Sequence, residues 1–275
     1  MAHHRRSHLL LVMAIIAGLS IGVAGCRGPQ SGGLTVAGST SVQPLVEHLA
    51  ERYMAEHHGE VVNVQGSGST AGIRAAVSGA AAIGMASREL EPTERDLHRF
   101  LIAQDAIAVI VHPANPVKAL RREQLRDIYA RRIRDWQQLG GNPGTINFIT
   151  REEGSGTRGA FQEIVMGDAE ISADGIVQDS TGTVRAIVAG DRNAIGYISL
   201  GMVTPEVATI SLDEVVPTHD AVISGQYPLT RPFLLVTSGE PGPRERAFMD
   251  YLHQPACQAI IEEEGYVPSA AESRS

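Results

Sequence analysis

Lysine and cysteine are almost missing from this 275-residue chain, which has one Lys and two Cys. The one lysine, Lys118, follows a valine, so no Gly-Lys phosphate loop of the P-loop kind exists. Cys26 and Cys257 are too few for a disulfide framework or a cysteine-based zinc site. Aromatic residues are 4%, too sparse for a platform that stacks single-stranded bases. The formal net charge is −8, opposite in sign to the basic footprint of non-specific nucleic-acid binding, so nucleic acid is set aside as a partner. No Gly-x-Ser-x-Gly elbow occurs, because Ser67, Ser69 and Ser155 each lack glycines at both flanking offsets. His57 and His58 are adjacent, a spacing wrong for metal ligation from one helix face, and read as a solvated helix end. Neither a metal nor a cofactor is expected, and the chain does not read as an enzyme.

What is present begins at the N-terminus. Arg5 and Arg6 precede an apolar stretch from Leu9 to Ile21, and small residues lead into Val23-Ala24-Gly25-Cys26. Residues 1–25 read as a secretory signal, with an apolar core short for a membrane span, and no later run is long enough to span one. Val-Ala-Gly-Cys resembles the bacterial lipobox, which implies cleavage before Cys26 and a lipid on that cysteine. The alternative is an ordinary signal or short anchor helix, with Cys26 incidental. Residues 26–33, rich in Gly, Pro, Ser and Gln after the cysteine, read as a flexible tether. Cleavage removes two arginines and no acid, leaving 21 basic against 31 acidic residues, a net of −10. With Cys26 lipidated, Cys257 has no disulfide partner and reads as a buried small residue on a C-terminal helix.

From Leu34 onward, short apolar runs alternate with helical spacing. Leu34–Ala37, Val61–Val64, Ala82–Ala86 and Ala106–Val111 read as strands, and Val42-Leu45-Val46-Leu49-Tyr53 and Ile73-Ala76-Val77-Ala80 as helix faces. A polar helix is expected from Pro92-Thr93. After Pro113 and Pro116 the pattern restarts. A helix carries Leu125, Ile128 and Tyr129, and a turn follows at Trp136–Gly141. Strands are expected at Ile146–Thr150, Ala194–Ser199 and Arg231–Thr237. Helices are expected at Gly156–Val165, around Val184-Ile187-Val188, and from Arg244 to Glu264 with a break at Pro255. This is the grammar of α/β structure with mostly parallel sheets, better divided into two similar lobes than laid out as one long sheet.

One pattern recurs at the strand-to-helix turns. Gly38-Ser39-Thr40-Ser41 and Gly66-Ser67-Gly68-Ser69-Thr70 lie in the first half. Arg151-Glu152-Glu153-Gly154-Ser155-Gly156-Thr157 and Asp179-Ser180-Thr181-Gly182-Thr183 lie in the second. Each alone is explained by N-capping, since Ser and Thr are common caps. Four together suggest an anion cradle: helix N-termini present unpaired N–H groups, and hydroxyls add donors without charge. Arg151 adds a planar donor fork suited to phosphate or sulfate. Glu153 either orients that arginine or favours the helix dipole, and Ser87-Arg88 offers a further hydroxyl and cation at the same edge.

Residues 38–45, 66–73, 83–90 and 151–158, with Asp105–Val111, Ala194–Ser199 and Glu264–Pro268, resemble the PstS-like phosphate-binding proteins of ABC importers. The resemblance implies a two-lobe Venus-flytrap periplasmic-binding-protein fold, with crossovers near Pro113 and near Gly225-Gln226. Lobe 1 would then span 34–112 plus 223–275, and lobe 2 113–222. It implies ligand contacts at Thr40, Ser41, Ser69, Ser87, Arg151, Ser155, Gly156 and Thr157. It also implies an ABC permease partner, an extracytoplasmic lipid-anchored location and phosphate as ligand; a monomer is the default expectation. Two departures stand out: Ala82 replaces the family's Asp before Ile-Gly, and Ser87-Arg88 stands where some branches place an Asp that accepts the phosphate proton. Sulfate, molybdate or tungstate therefore remain alternative ligands, a sensing role remains an alternative to transport, and a secreted hydrolase is the remaining rival.

Overall fold

The computed structural model describes residues 32–269. The signal segment, Cys26 and the tether up to residue 31 lie outside the described residues. The chain runs through β1 (Leu34–Gly38), α1 (Gln43–Glu56), β2 (Val62–Gly66), α2 (Ser69–Ser78), β3 (Ile83–Ala86), β4 (His98–Val111), β5 (Ala119–Leu120) and α3 (Arg122–Tyr129). It continues with β6 (Asn147–Arg151), α4 (Gly156–Phe161), β7 (Ile176–Gln178), α5 (Thr181–Gly190), β8 (Ala194–Ser199), β9 (Ala208–Thr209) and β10 (Ser211–Leu212). It ends with α6 (His219–Ile223), β11 (Thr230–Thr237), α7 (Pro243–Leu252), α8 (Pro255–Glu263) and β12 (Val267–Pro268).

The main sheet has the order β2-β1-β3-β11-β4-β8-β6-β7. The parallel ladders expected of each lobe are β2-β1-β3 at one end and β8-β6-β7 at the other. Between them β11 and β4 run antiparallel to their neighbours. Each parallel set is covered on both faces, as parallel sheets require. At one end, Val36, Leu45, Leu49, Phe233, Phe248 and Ile261 pack on one face and Ile73, Ala76, Leu234 and Val236 on the other. At the other end, Ile107, Val109, Tyr129, Phe148, Phe161 and Tyr197 fill one face, and Ala108, Ile110, Ile149, Val184 and Val188 the opposite one. Alternate residues of β4 thus enter different layers, the period-two signature of a strand buried on both sides. Cys257 is buried in the first core, on α8.

Strand β4 is far longer than its apolar run. The polar helix expected from Pro92 is a single 3-10 turn, Pro92–Glu94, after which His98–Asp105 pairs with β11. The chain changes core inside β4, between Ala103 and Ala106, and returns inside β11, between Leu229 and Phe233. Prolines and glycines at 113, 116 and 225 mark the ends of segments, whereas the change of core happens within the paired strands β4 and β11, at Pro232 in β11 and at no proline or glycine in β4. Helix α4 also departs from a uniform helix over 156–165: after Phe161 it widens into a π turn, Gln162–Met166.

Candidate functional site

All four glycine- and hydroxyl-rich turns follow the carboxyl ends of parallel strands, where α/β sheets hold their ligands. Gly38 ends β1 with φ 147°, and a Cβ there would lie 2.2 Å from the Met85 carbonyl, so only glycine lets β1 and β3 approach this closely. The turn then delivers Ser39, Thr40 and Ser41. Gly68, at φ 87°, starts α2 and delivers Ser69. The N-cap positions of α1 and α2, Val42 and Gly68, make no side-chain capping bond, although Ser39 Oγ accepts from Ser41 N at 3.2 Å within the first turn. In the second half capping does occur: Ser155 Oγ accepts from Arg158 N at 3.3 Å, and Ser180 Oγ accepts from Thr183 N at 3.1 Å. The capping explanation therefore holds for Ser155 and Ser180, and the neighbouring Thr157 and Thr181 point elsewhere.

They point at the first half. Ser41 Oγ lies 2.9 Å from Thr157 Oγ1 and 3.0 Å from Thr181 Oγ1, and Thr40 Oγ1 lies 3.4 Å from Thr181 Oγ1. Ser41, Ser69, Ser87, Ser155, Thr157 and Thr181 are all buried. Beside them Ser39 Oγ donates to Ser87 Oγ at 2.8 Å, and Ser87 N donates to Ser69 Oγ at 3.1 Å. Gly156 sits against this trio: a Cβ added there would fall 2.3 Å from Ser69 Oγ and 2.7 Å from Ser87 Oγ. The two sequence halves also touch through the backbone, Thr70 N donating to Gly154 O at 3.1 Å.

Arg151 ends β6, is 2% exposed, and is braced along one edge of its guanidinium by three residues. Its Nε and Nη2 bond Glu152 Oε2 and Oε1 at 2.9 and 3.0 Å, and the carbonyls of Gln178 and Asp179 accept from the same two nitrogens. The remaining nitrogen, Nη1, donates to Thr181 Oγ1 at 3.1 Å, which aims the guanidinium into the hydroxyl cluster. The bracing acid is Glu152; Glu153, the residue expected from sequence, is exposed. Behind Arg151, Tyr197 Oη bonds Thr150 Oγ1 at 2.7 Å, and burial pushes the phenol up to about 12, so it stays a neutral strut near neutral pH.

Arg88 differs from its expected role. Its Nη1 bonds Glu94 Oε2 at 2.7 Å and its Nη2 bonds Glu94 Oε1 at 3.0 Å, with Thr70 Oγ1 at 3.4 Å. This pairing raises the Arg88 pKa and lowers that of Glu94. The structure brings Thr40, Ser41, Ser69, Ser87, Arg151, Gly156 and Thr157 together, leaves Ser155 Oγ capping α4, and adds Ser39 and Thr181 to the cluster. Thr181 was visible only as one member of a Gly/Ser/Thr turn, and Ser39 as a neighbour of Thr40. Among the described residues no cluster of His, Cys, Asp or Glu is arranged to hold a metal ion, and no helix is long and apolar enough to cross a membrane.

Comparison with known proteins defines the class: the PBP superfamily domain matches residues 27–255, and the chain belongs to that family. The resemblance to PstS-like proteins seen in the motifs extends along the chain. Phosphate-binding protein PstS of Bacillus subtilis is 34% identical over 244 residues, 86% of this chain and 81% of its own length. A substrate-binding protein assigned to a phosphate ABC transporter of Clostridium perfringens, solved with bound phosphate, superposes with a TM-score of 0.84 at 38% identity. That match covers 87% of this chain and all of that one. An ABC-type phosphate transport receptor of Vibrio cholerae gives a TM-score of 0.72 at 37% identity, over 86% of this chain and all of its own. The two-lobe α/β architecture is the one these structures share.

Proposed function

We propose that this protein is an extracytoplasmic solute-binding lipoprotein that captures phosphate between its lobes and delivers it to an ABC permease. The observation that carries the reading is the buried meeting of hydroxyls from both halves, Ser41 with Thr157 and Thr181, at a guanidinium nitrogen of Arg151. These hydroxyls bond one another; an oxyanion among them exchanges neutral bonds for charge-assisted ones, which are roughly twice as strong. Thr40, Ser41, Ser69, Ser87, Ser155 and Thr157 supply hydroxyls, Gly156 and Thr157 supply first-turn N–H groups, and Arg151 supplies charge. The lobes proposed from sequence, 34–112 with 223–275 and 113–222, are adjusted at their edges: Ala106–Val111, Tyr227 and Leu229 pack in the second core, which supports a hinge inside β4 and at the start of β11. The likeness to phosphate-binding relatives supports the same ligand.

Near neutral pH phosphate keeps at least one proton and sulfate keeps none. Telling them apart requires an acceptor, because a mismatched buried polar group costs about 1–3 kcal/mol. Ser69 and Ser87 each accept a bond already and have a second lone pair to offer. A hydroxyl repels sulfate less than a carboxylate does, so the expected outcome is a real but mild preference for phosphate. Calorimetric titration with both anions at neutral pH tests it. Equal affinities would make the protein a general binder of tetrahedral oxyanions, and a sulfate preference would refute the phosphate assignment. Anchoring rests on the lipobox-like Val23-Ala24-Gly25-Cys26. Mass spectrometry of the mature protein should find lipid on Cys26, and Cys26→Ala should release the protein from the membrane fraction.

A further inference from the structure

The two strands that join the lobes carry a buried ion pair at the point where each changes core. Asp105 and Arg231 stand directly opposite in the β4–β11 ladder, and both side chains are fully shielded from solvent. Asp105 Oδ2 accepts from Arg231 Nε at 2.9 Å and Nη2 at 2.8 Å, and Asp105 Oδ1 accepts from Ser199 Oγ of β8 at 2.8 Å. Burial raises the Asp105 pKa and lowers that of Arg231, so the location opposes the charges that the pairing sustains. Such a pair is weak evidence for a stabilising role, since desolvation can cancel the attraction. Its geometry indicates another use.

The third guanidinium nitrogen, Nη1, donates to the Ser87 carbonyl at 3.3 Å. Ser87 lies one residue beyond Ala86, the last β3 residue paired with β11, so its carbonyl is outside that ladder. The next residue of β11 beyond Arg231, Pro232, has no N–H to donate. Every polar group of Ser87 is therefore fixed by a different neighbour: N by Ser69, Oγ by Ser39 and O by Arg231. We propose that Arg231 and Asp105 form a positioning pair that links the crossing strands to the ligand cluster through the Ser87 carbonyl. Through Ser199 the same pair holds a strand of the second lobe. The consequence for phosphate rests on the functional reading above; the positioning itself does not.

Arg231→Lys tests this, because lysine keeps a charge opposite Asp105 but lacks the fork that reaches Asp105 and Ser87 together. Asp105→Leu combined with Arg231→Met is the second variant, removing both charges while keeping bulk and so retaining a folded chain even where the lysine does not. Two readouts apply to whichever variant folds. Amide exchange of the Ser87 N–H, measured without ligand, should speed at least tenfold, while that of Val36 and Ile107 in the two cores stays unchanged. Phosphate affinity by calorimetry should fall about tenfold. A merely structural pair would lower the melting temperature and speed exchange throughout the cores, without a selective effect at Ser87. Unchanged Ser87 exchange overturns the proposal. Fast Ser87 exchange in a chain whose wild type binds no phosphate would support the positioning pair and sink the phosphate assignment instead.

Discussion

The two halves of the site handle charge in opposite ways. The first-lobe half presents neutral hydroxyls already bonded to one another, and its nearby arginines are each paired internally, Arg88 with Glu94 and Arg231 with Asp105. The second-lobe half brings the charge to the cluster: Glu152 and two carbonyls hold Arg151 on one side so that Nη1 faces the hydroxyls. One half is a preset surface of dipoles and the other a braced cation. On the proposed function, a protein with net charge −8 would thereby attract an anion locally.

If that division is right, Arg151→Ala has the largest effect on binding. Removing one partner of a desolvated charge pair costs about 2–5 kcal/mol, so phosphate affinity should fall roughly thirtyfold or more. Glu152, left beside the anion, adds repulsion to the loss. Calorimetry reading a change under threefold would mean the charge comes from elsewhere. Gly156→Ala tests whether the halves must touch. Its methyl would enter the space of Ser69 Oγ and Ser87 Oγ, an overpacking worth about 1–3 kcal/mol, and should weaken binding about tenfold. An affinity within threefold of wild type would show that the halves need not touch at Gly156.

Thr181→Val removes a hydroxyl shared by Arg151, Ser41 and Thr40 while keeping its shape. A net hydrogen bond is worth about 1 kcal/mol, so a loss of roughly fivefold is expected, well below that of Arg151. Glu94→Gln probes the first-lobe cation and should change affinity by less than about twofold. Its effect appears in stability against pH. Hydrogen bonding to Arg88 holds the Glu94 carboxyl below its usual range, so its stabilisation is complete above the unfolded value and disappears as acid protonates the folded group. Thermal melts from pH 7 downward should show the variant less stable at neutrality, by about 1.5–3 kcal/mol, with a shallower acid loss than wild type. Equal slopes would show that Glu94 does not report on the pairing.

The sequence disclosed the elements whose local chemistry is self-sufficient. Ala194–Ser199 is an unbroken buried run and is the strand expected, and the break at Pro255 between α7 and α8 follows from the missing N–H of proline. The first half of β4 was invisible because His98-Arg99 and Gln104-Asp105 interrupt its apolar pattern, and only pairing with β11 makes it a strand. The same logic separates the site residues. Thr40, Ser41 and Arg151 announce themselves through motif and donor chemistry, whereas Thr181 becomes notable only when Arg151 and Ser41 arrive from other elements. Arg88 was legible as a cation near the edge, but its pairing with Glu94 depends on the 3-10 turn that brings Glu94 back. Asp105 and Arg231 are 126 residues apart, and no local pattern states their register.

The passage of β4 and β11 between the two cores also sets an order in time. The second core is assembled from one contiguous stretch, Ala106 to Leu229. The first needs Phe233, Phe248, Ile261 and Tyr266 before it can close on Leu34 and Val36. A chain emerging from the ribosome N-terminus first can therefore complete its middle while its beginning waits for its end. Strands β1, β2 and β3 pair among themselves early, but β11, the other partner of β3, and the cover from α7 and α8 come from the far end of the chain, and distant contacts of that kind form slowly. The half of the site made of hydroxyls is thus the last to be built, and the one most exposed to misassembly when folding is hurried.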